Sequence, residues 1–196
     1  NGFTGAVYPV NPGATSVQGV RAYPDLRAVP DAVDLAVIVV PAARVPAVID
    51  DCVATGVKAV LIITAGFAET GDAGRAIQDA MLAKVRAAGM RMVGPNCLGL
   101  LNADPAVALD ATFAPTWPPH GNVAFSSQSG AVGLAILDYA KELGIGIHQF
   151  VSIGNKADVS GNDLIEYWGA DPQVQVVLLY LESFGNPARF LATCQR

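Results

Sequence analysis

The chain has 196 residues, of which 52% are hydrophobic and 15% charged, and its formal net charge is −5. That length suffices for one large or two small domains with cores of their own. The apolar residues come in short runs broken by Gly, Pro and Asp, well below the roughly twenty needed to span a bilayer, so buried strands are expected and a membrane protein is not. Lys and Arg are dispersed and leave no basic face for nucleic acid. Cys52, Cys97 and Cys194 are odd in number, widely spaced and without a C-x-x-C pair, which fits reduced thiols of a cytoplasmic protein and argues against zinc or a disulfide framework. His120 and His148 show no metal-ligand spacing and read as surface and strand-end residues, so no metal site is expected.

The chain opens at Asn1 with neither an initiator Met nor a signal peptide, and it reads as a segment of a longer protein. Residues 6–10 read as a short strand ending in the Pro9-Val10-Asn11-Pro12-Gly13 turn, and residues 34–40 as a fully buried strand. Val45, Val48, Ile49, Cys52 and Val53 recur at three- and four-residue steps, which marks a helix with one face on a sheet. A strand at 58–64, a helix at 72–88 and a strand at 90–93 follow. Such alternation with short connections predicts an α/β fold with a parallel, doubly wound sheet.

From 102 to 121 the periodicity disappears and Pro105, Pro115, Pro118 and Pro119 gather around Trp117. The expected organisation is a first domain over 1–102, a linker over 103–121 and a second domain over 122–196. The second unit runs strand (122–125), helix (132–143), strand (147–153), helix (163–169), strand (174–181) and helix (187–194), and the pattern is still going at Arg196. In a doubly wound domain the first strand lies at the centre and carries the Gly-rich loop. Neither precedes residue 6, so the first sheet is expected to be N-terminally incomplete. A gap would then separate the strands at Ala6 and Leu35 from those that begin at Lys58.

The run Ser126-Ser127-Gln128-Ser129-Gly130-Ala131 links a strand to a helix. There the hydroxyls of Ser127 and Ser129, unpaired amides and the positive end of the helix would converge on an anion, with Gly130 opening the backbone to a phosphate oxygen. An isolated S-x-S-G also fits an ordinary helix N-cap. Its company favours a site: Gly94-Pro95-Asn96-Cys97-Leu98-Gly99 and Leu181-Glu182-Ser183-Phe184-Gly185 end other strands, and open α/β sheets place ligands at those carboxyl ends. Phosphoryl or acyl transfer is the chemistry such turns suggest.

With Val10-Asn11-Pro12-Gly13, Val39-Val40-Pro41-Ala42 and Ile63-Thr64-Ala65-Gly66-Phe67, these motifs stand in the order found in the nucleoside-diphosphate-forming acyl-CoA synthetases. The chain resembles the succinyl-CoA synthetase α-subunit and, more closely, the ADP-forming acetate-CoA ligases, over essentially its whole length. Ser152-Ile153-Gly154-Asn155-Lys156-Ala157-Asp158 resembles a loop of the second domain of those ligases. The resemblance implies a Rossmann-like CoA-binding domain followed by a flavodoxin-like succinyl-CoA-synthetase-type domain that is C-terminally incomplete. Asn11, Pro12, Pro41, Ala42, Thr64, Gly66, Asn96 and Cys97 would line the coenzyme A site. Ser127, Gln128, Ser129 and Gly130 would hold the phosphoryl group, and Glu182 would orient a phosphohistidine by hydrogen bonding its imidazole, a solvated strand-end Glu being the alternative. The substrates implied are CoA, a small acyl acid and ATP, with ADP and Mg2+ handled by an ATP-grasp domain or subunit outside the segment, in a cytoplasmic oligomer. The family's phosphohistidine motif lies beyond Glu182 and the following helix and does not occur before Arg196. Where the succinyl enzyme has a Lys after its Pro-Gly turn this chain has Ala14. Glu69 could hydrogen-bond the ligand or stand as an exposed loop carboxylate.

Two other functions fit parts of the pattern. A CoA-sensing regulatory module of a fused protein acetyltransferase would use the same fold without catalysis. A nicotinamide-binding domain would share the alternation of the first unit, but no G-x-G-x-x-G is present.

Overall fold

The computed structural model describes residues 2–195. A small antiparallel hairpin, β1 (Ser16–Val17) and β2 (Val20–Arg21), precedes the first sheet. That sheet is parallel in the order β3 (Leu35–Ile38), β4 (Ala59–Ile62), β5 (Arg91–Val93), and its connections are the helices α1 (Val45–Thr55) and α2 (Asp72–Ala87). α1 starts with a Pro in its first turn and stops at Gly56, whose left-handed φ of 74° lets the chain reverse into β4. Because alternate strand residues face one side, Ile38, Val60, Ile62 and Met92 meet Val45, Ile49 and Cys52 of α1 and Met81 and Val85 of α2 in one buried cluster.

The second sheet has the order β10-β8-β9-β6-β7, from β6 (Gly99–Asn102), β7 (Leu109–Thr112), β8 (His120–Ser127), β9 (Ile147–Ser152) and β10 (Val176–Tyr180). β8 is parallel to β9 and β10, whereas β6 is antiparallel to β9 and β7. α3 (Gly130–Glu142) covers one face over Phe125, Leu137, Ala140 and Phe150. α4 (Gly161–Gly169) covers the other over Ala124, Val151, Ile153, Leu164 and Trp168, and α5 (Pro187–Cys194) follows β10. The buried Trp168 indole donates to Gln149 Oε1 at 2.9 Å, so its polar edge is satisfied inside the core.

Several expectations change. Residues 6–10 form no strand: only Val10 bridges to Tyr23, because Pro9 has no amide to donate and offers just its carbonyl, 2.9 Å from Tyr23 N. No gap separates Leu35 from the strands beyond it, since Leu35 pairs directly with Ala59 and Ile38 with Ile62. The stretch read as a linker carries β7 and the first residues of β8, and β6 belongs to the second sheet although it follows the first unit without a break. His148 is not at the surface. It is buried, with Nδ1 3.3 Å from His120 Nε2 and Nε2 3.2 Å from Asp171 Oδ2, at the end of the sheet opposite the turns discussed below.

The two sheets are joined by the loop 153–160 after β9. Val159 N donates to Met92 O (3.1 Å), Ala157 N to Gly94 O (3.1 Å) and Asn155 N to Pro95 O (2.9 Å), so the loop follows the outer edge of β5 and its continuation. Gly154 is required there. Its φ is +51°, and a Cβ would lie 2.2 Å from Asn96 O.

Candidate functional site

The first cluster of turns forms where β3, β4 and β5 end. Thr64 Oγ1 donates to Val40 O at 2.8 Å and Asn96 N donates to Thr64 O at 3.0 Å, which ties the three strand ends side by side. Gly66 has φ +109° and a Cβ there would stand 3.0 Å from that of Ala42, so the two turns touch. Asn11 and Pro12 lie across from Val39, Val40, Pro41 and Arg44 around a hollow of about 500 Å³. A second hollow of about 400 Å³ shares Asn11 and Pro12 and is bounded by Arg21. Asn11 Oδ1 accepts from Gly13 N at 2.9 Å, which fixes the turn.

Pro41, Ala42, Thr64, Gly66 and Asn96 are thus brought together, and Asn11 and Pro12 face them. Cys97 is not presented. Its thiol is buried and donates to Ile62 O at 3.3 Å, and burial pushes it up to about 12 against the opposing pull of the Gly99 amide. The thiol is therefore not available to a ligand. Arg21 and Arg44 are exposed cations at the hollows that the sequence motifs did not single out; Arg44 follows the Pro41-Ala42 turn by two residues, and that proximity was the available signal.

Glu69 is an exposed loop carboxylate, as one of its two readings expected, but its oxygens are engaged by the protein. Its Oε1 accepts from Gly66 N (2.5 Å) and Phe67 N (3.2 Å), and its Oε2 accepts from Asn155 Nδ2 (2.5 Å). Burial pushes the carboxyl up, but the hydrogen bonds from Asn155 and the turn amides outweigh it and hold the group below the usual carboxylate range. The charge therefore braces the turn that contains Gly66.

The second cluster lies at the ends of β8 and β10. Ser129 caps α3, its Oγ accepting from Val132 N at 3.3 Å, while its carbonyl takes the Gly133 amide. The amides of Gly130 and Ala131 open the helix with no intrahelical acceptor, at its positive end. Ser127 differs from expectation: its hydroxyl is buried and donates to Ser129 O at 2.6 Å, so it shapes the turn instead of pointing at an anion. A Cβ on Gly130 would make only ordinary contact, 3.6 Å from Leu98 Cβ, so steric relief at that position does not explain the glycine.

Gln128 holds the two turns together. Its backbone N donates to Tyr180 O at 2.9 Å, and its Oε1 accepts from Glu182 N (3.0 Å) and Ser183 N (3.2 Å). Glu182 is thereby fixed beside the start of α3 with its side chain exposed. Lys156, which no single-residue argument had selected, reaches the same place: Nζ donates to Ser183 O (2.5 Å), Ser183 Oγ (2.6 Å) and Gln128 Oε1 (3.4 Å). Its neighbour Asn155 points the other way, to Glu69, to Gln78 Oε1 (2.9 Å) and to Asn96 Nδ2 (3.3 Å). Consecutive residues of one loop thus reach both clusters.

Polar turns gathered at the carboxyl ends of the parallel strands of both sheets are the arrangement at which α/β proteins of the doubly wound class bind ligands. Residues 4–103 match the CoA binding domain and residues 120–196 the succinyl-CoA ligase like flavodoxin domain, so the chain belongs to the CoA-binding domain family and carries the domain pair of the ADP-forming acyl-CoA ligases. It is 43% identical to an ADP-forming acetate–CoA ligase of Methanocaldococcus jannaschii over 99% of this chain and 27% of that protein. It is 42% identical to the α-subunit of ADP-forming acetate–CoA ligase II of Pyrococcus furiosus over 98% of this chain and 41% of that one. Among solved structures, the dinucleotide forming acetyl-coenzyme A synthetase 1 of Ca. Korarchaeum cryptofilum in complex with phosphate and ADP superposes with a TM-score of 0.93 at 43% identity, covering all of this chain and 42% of that chain. The chain therefore spans less than half the length of each of these relatives. Among the described residues no helix is long and apolar enough to cross a membrane.

Proposed function

We propose that this chain is the CoA-binding and phosphoryl-handling part of an ADP-forming acid–thiol ligase, which makes an acyl-CoA from a small carboxylic acid, CoA and ATP. Phosphate passes from ATP to a histidine outside residues 1–196 and then to the acid, giving an acyl phosphate; attack of the CoA thiol on its carbonyl forms the thioester and releases phosphate. The hollow bounded by Asn11, Pro12, Pro41 and Arg44 takes CoA, with Ala42, Thr64, Gly66, Asn96 and the backbone at Cys97 completing its wall. Arg21 and Arg44 meet its phosphates, as guanidinium groups do well. The amides of Gly130 and Ala131 face the phosphoryl group, with Ser127, Gln128 and Ser129 shaping that turn, and Glu182 orients the phosphohistidine by accepting from one imidazole nitrogen so that the other is the nucleophile. ATP, ADP and Mg2+ bind to an ATP-grasp domain or subunit in an oligomeric, cytoplasmic enzyme.

What supports this most is the Gln128 clamp, which sets a carboxylate beside a helix N-terminus in a chain 43% identical to an ADP-forming ligase. The relatives named above are ligases, and that favours catalysis over a sensing role. Full-length protein supplied with ATP, CoA and acetate or a similar small acid is expected to release ADP and acyl-CoA in equal amounts, and γ-labelled ATP alone should leave an acid-labile phosphoprotein. Release of AMP and pyrophosphate, or no label on the protein, would overturn the proposal.

A further inference from the structure

The loop 153–160 brings a single ammonium group to the phosphoryl turn. Lys156 is half-buried, it makes no ion pair among the described residues, and every acceptor it contacts is a neutral oxygen. A neutral donor would serve those acceptors as well, whereas a partly desolvated charge is costly until an anion completes it. Two of its three donors are strongly engaged with Ser183, and the third contact, 3.4 Å to Gln128 Oε1, is long and easily exchanged for a phosphate oxygen. Burial pulls the ammonium below its ordinary value while the Glu182 charge opposes that shift.

The position is also firmly set. Lys156 N donates to Ile153 O at 2.8 Å, Asn155 is held by Glu69 and Gln78, and Asp158 by Arg86 and Arg91. The loop has little freedom to withdraw the side chain. Resting on the assignment of the 127–130 turn to the phosphoryl group, we propose that Lys156 is a phosphoryl-binding residue: its ammonium, held between Ser183 and Gln128, pairs with the phosphate that leaves or enters at the start of α3. The adjacent Asn155, in contact with the turn that contains Gly66, places this cation where the CoA and phosphoryl halves of the reaction meet.

The test uses full-length protein in the direction that consumes acyl-CoA, ADP and phosphate, with inorganic phosphate as the probe. Lys156→Gln keeps a donor for the neutral oxygens and removes the charge. It is expected to raise the Michaelis constant for phosphate about tenfold or more while leaving the dissociation constant for CoA, measured by calorimetry, within twofold. Lys156→Arg, which retains the charge, is expected to stay within threefold of wild type for phosphate, and it carries the test if the Gln variant does not fold. An unchanged phosphate constant in Lys156→Gln, a tenfold rise in Lys156→Arg, or parallel loss of phosphate and CoA affinity would overturn the assignment of Lys156. Wild-type protein with no phosphate-dependent turnover would instead refute the underlying reading of the turn.

Discussion

Ser129 tests the anion turn most sharply among single side chains. Asp caps a helix as well as Ser does, so Ser129→Asp leaves α3 in place, but it sets a carboxylate where phosphate must approach. Two charges about 4 Å apart at an effective dielectric near 20 repel by about 4 kcal/mol, so phosphohistidine formation in the full-length variant should slow by roughly 100-fold or more. Rapid-quench labelling at the wild-type rate would refute the phosphate-site assignment. The thiols offer a second test at this scale. Burial pushes Cys97 to about 12 and Cys52 to about 11, whereas Cys194 is exposed. At pH 8 a thiol reagent should therefore modify Cys194 in the native protein and reach Cys52 and Cys97 only after denaturation; native modification of Cys97 would show that its thiol is presented after all. The motifs located Ser129, Gly66 and Glu182 correctly on turns, since Ser, Gly and strand ends leave local signatures. They could not reveal that Gln128 clamps the 181–185 turn or that Lys156 meets Ser183, because those pairs are far apart in sequence and only folding joins them.

Periodicity revealed the long elements: α1, α2 and α3, the buried strands β4 and β9 and the half-exposed β10 lie within a few residues of where the apolar spacing puts them. The misses have common causes. β7 is a short edge strand, half-exposed along its length, and shows no alternation to detect. β6 is legible as apolar, but nothing local says that it pairs with Gln149, Phe150 and Val151 in the second sheet. The loop after β9 reads as an ordinary turn, yet it seals the edge of β5. Its anchor is Asp158, whose side chain is 5% exposed and accepts from Arg86, from Arg91 at 2.8 Å and from Met92 N at 3.0 Å. Burial pushes this carboxyl up, but Arg91, the Met92 amide and Arg86 outweigh it and hold it below its ordinary value of 3.8. A depressed folded value means stability present above the unfolded value and lost as the pH falls through the folded one. Asp158→Asn should cost about 2 kcal/mol in urea denaturation at pH 7, with both Arg partners more than half exposed and so weakening the pair. The gap from wild type should narrow below about pH 4. A gap of the same size at pH 3 and pH 7 would contradict this role.

At the scale of the whole molecule, the parallel strands of both sheets turn their carboxyl ends to a common junction, and one loop spans it. Asn155 and Lys156 connect the first cluster to the second, and under the proposed function a ligand held at β3, β4 and β5 would meet its chemistry at the start of α3. Under the proposed function the first cluster takes coenzyme A rather than a dinucleotide. Titration calorimetry of the full-length protein tests it most directly. CoA is expected to bind saturably with no heat from NAD under the same conditions, and tight binding of NAD with none of CoA would overturn the assignment of this cluster to CoA.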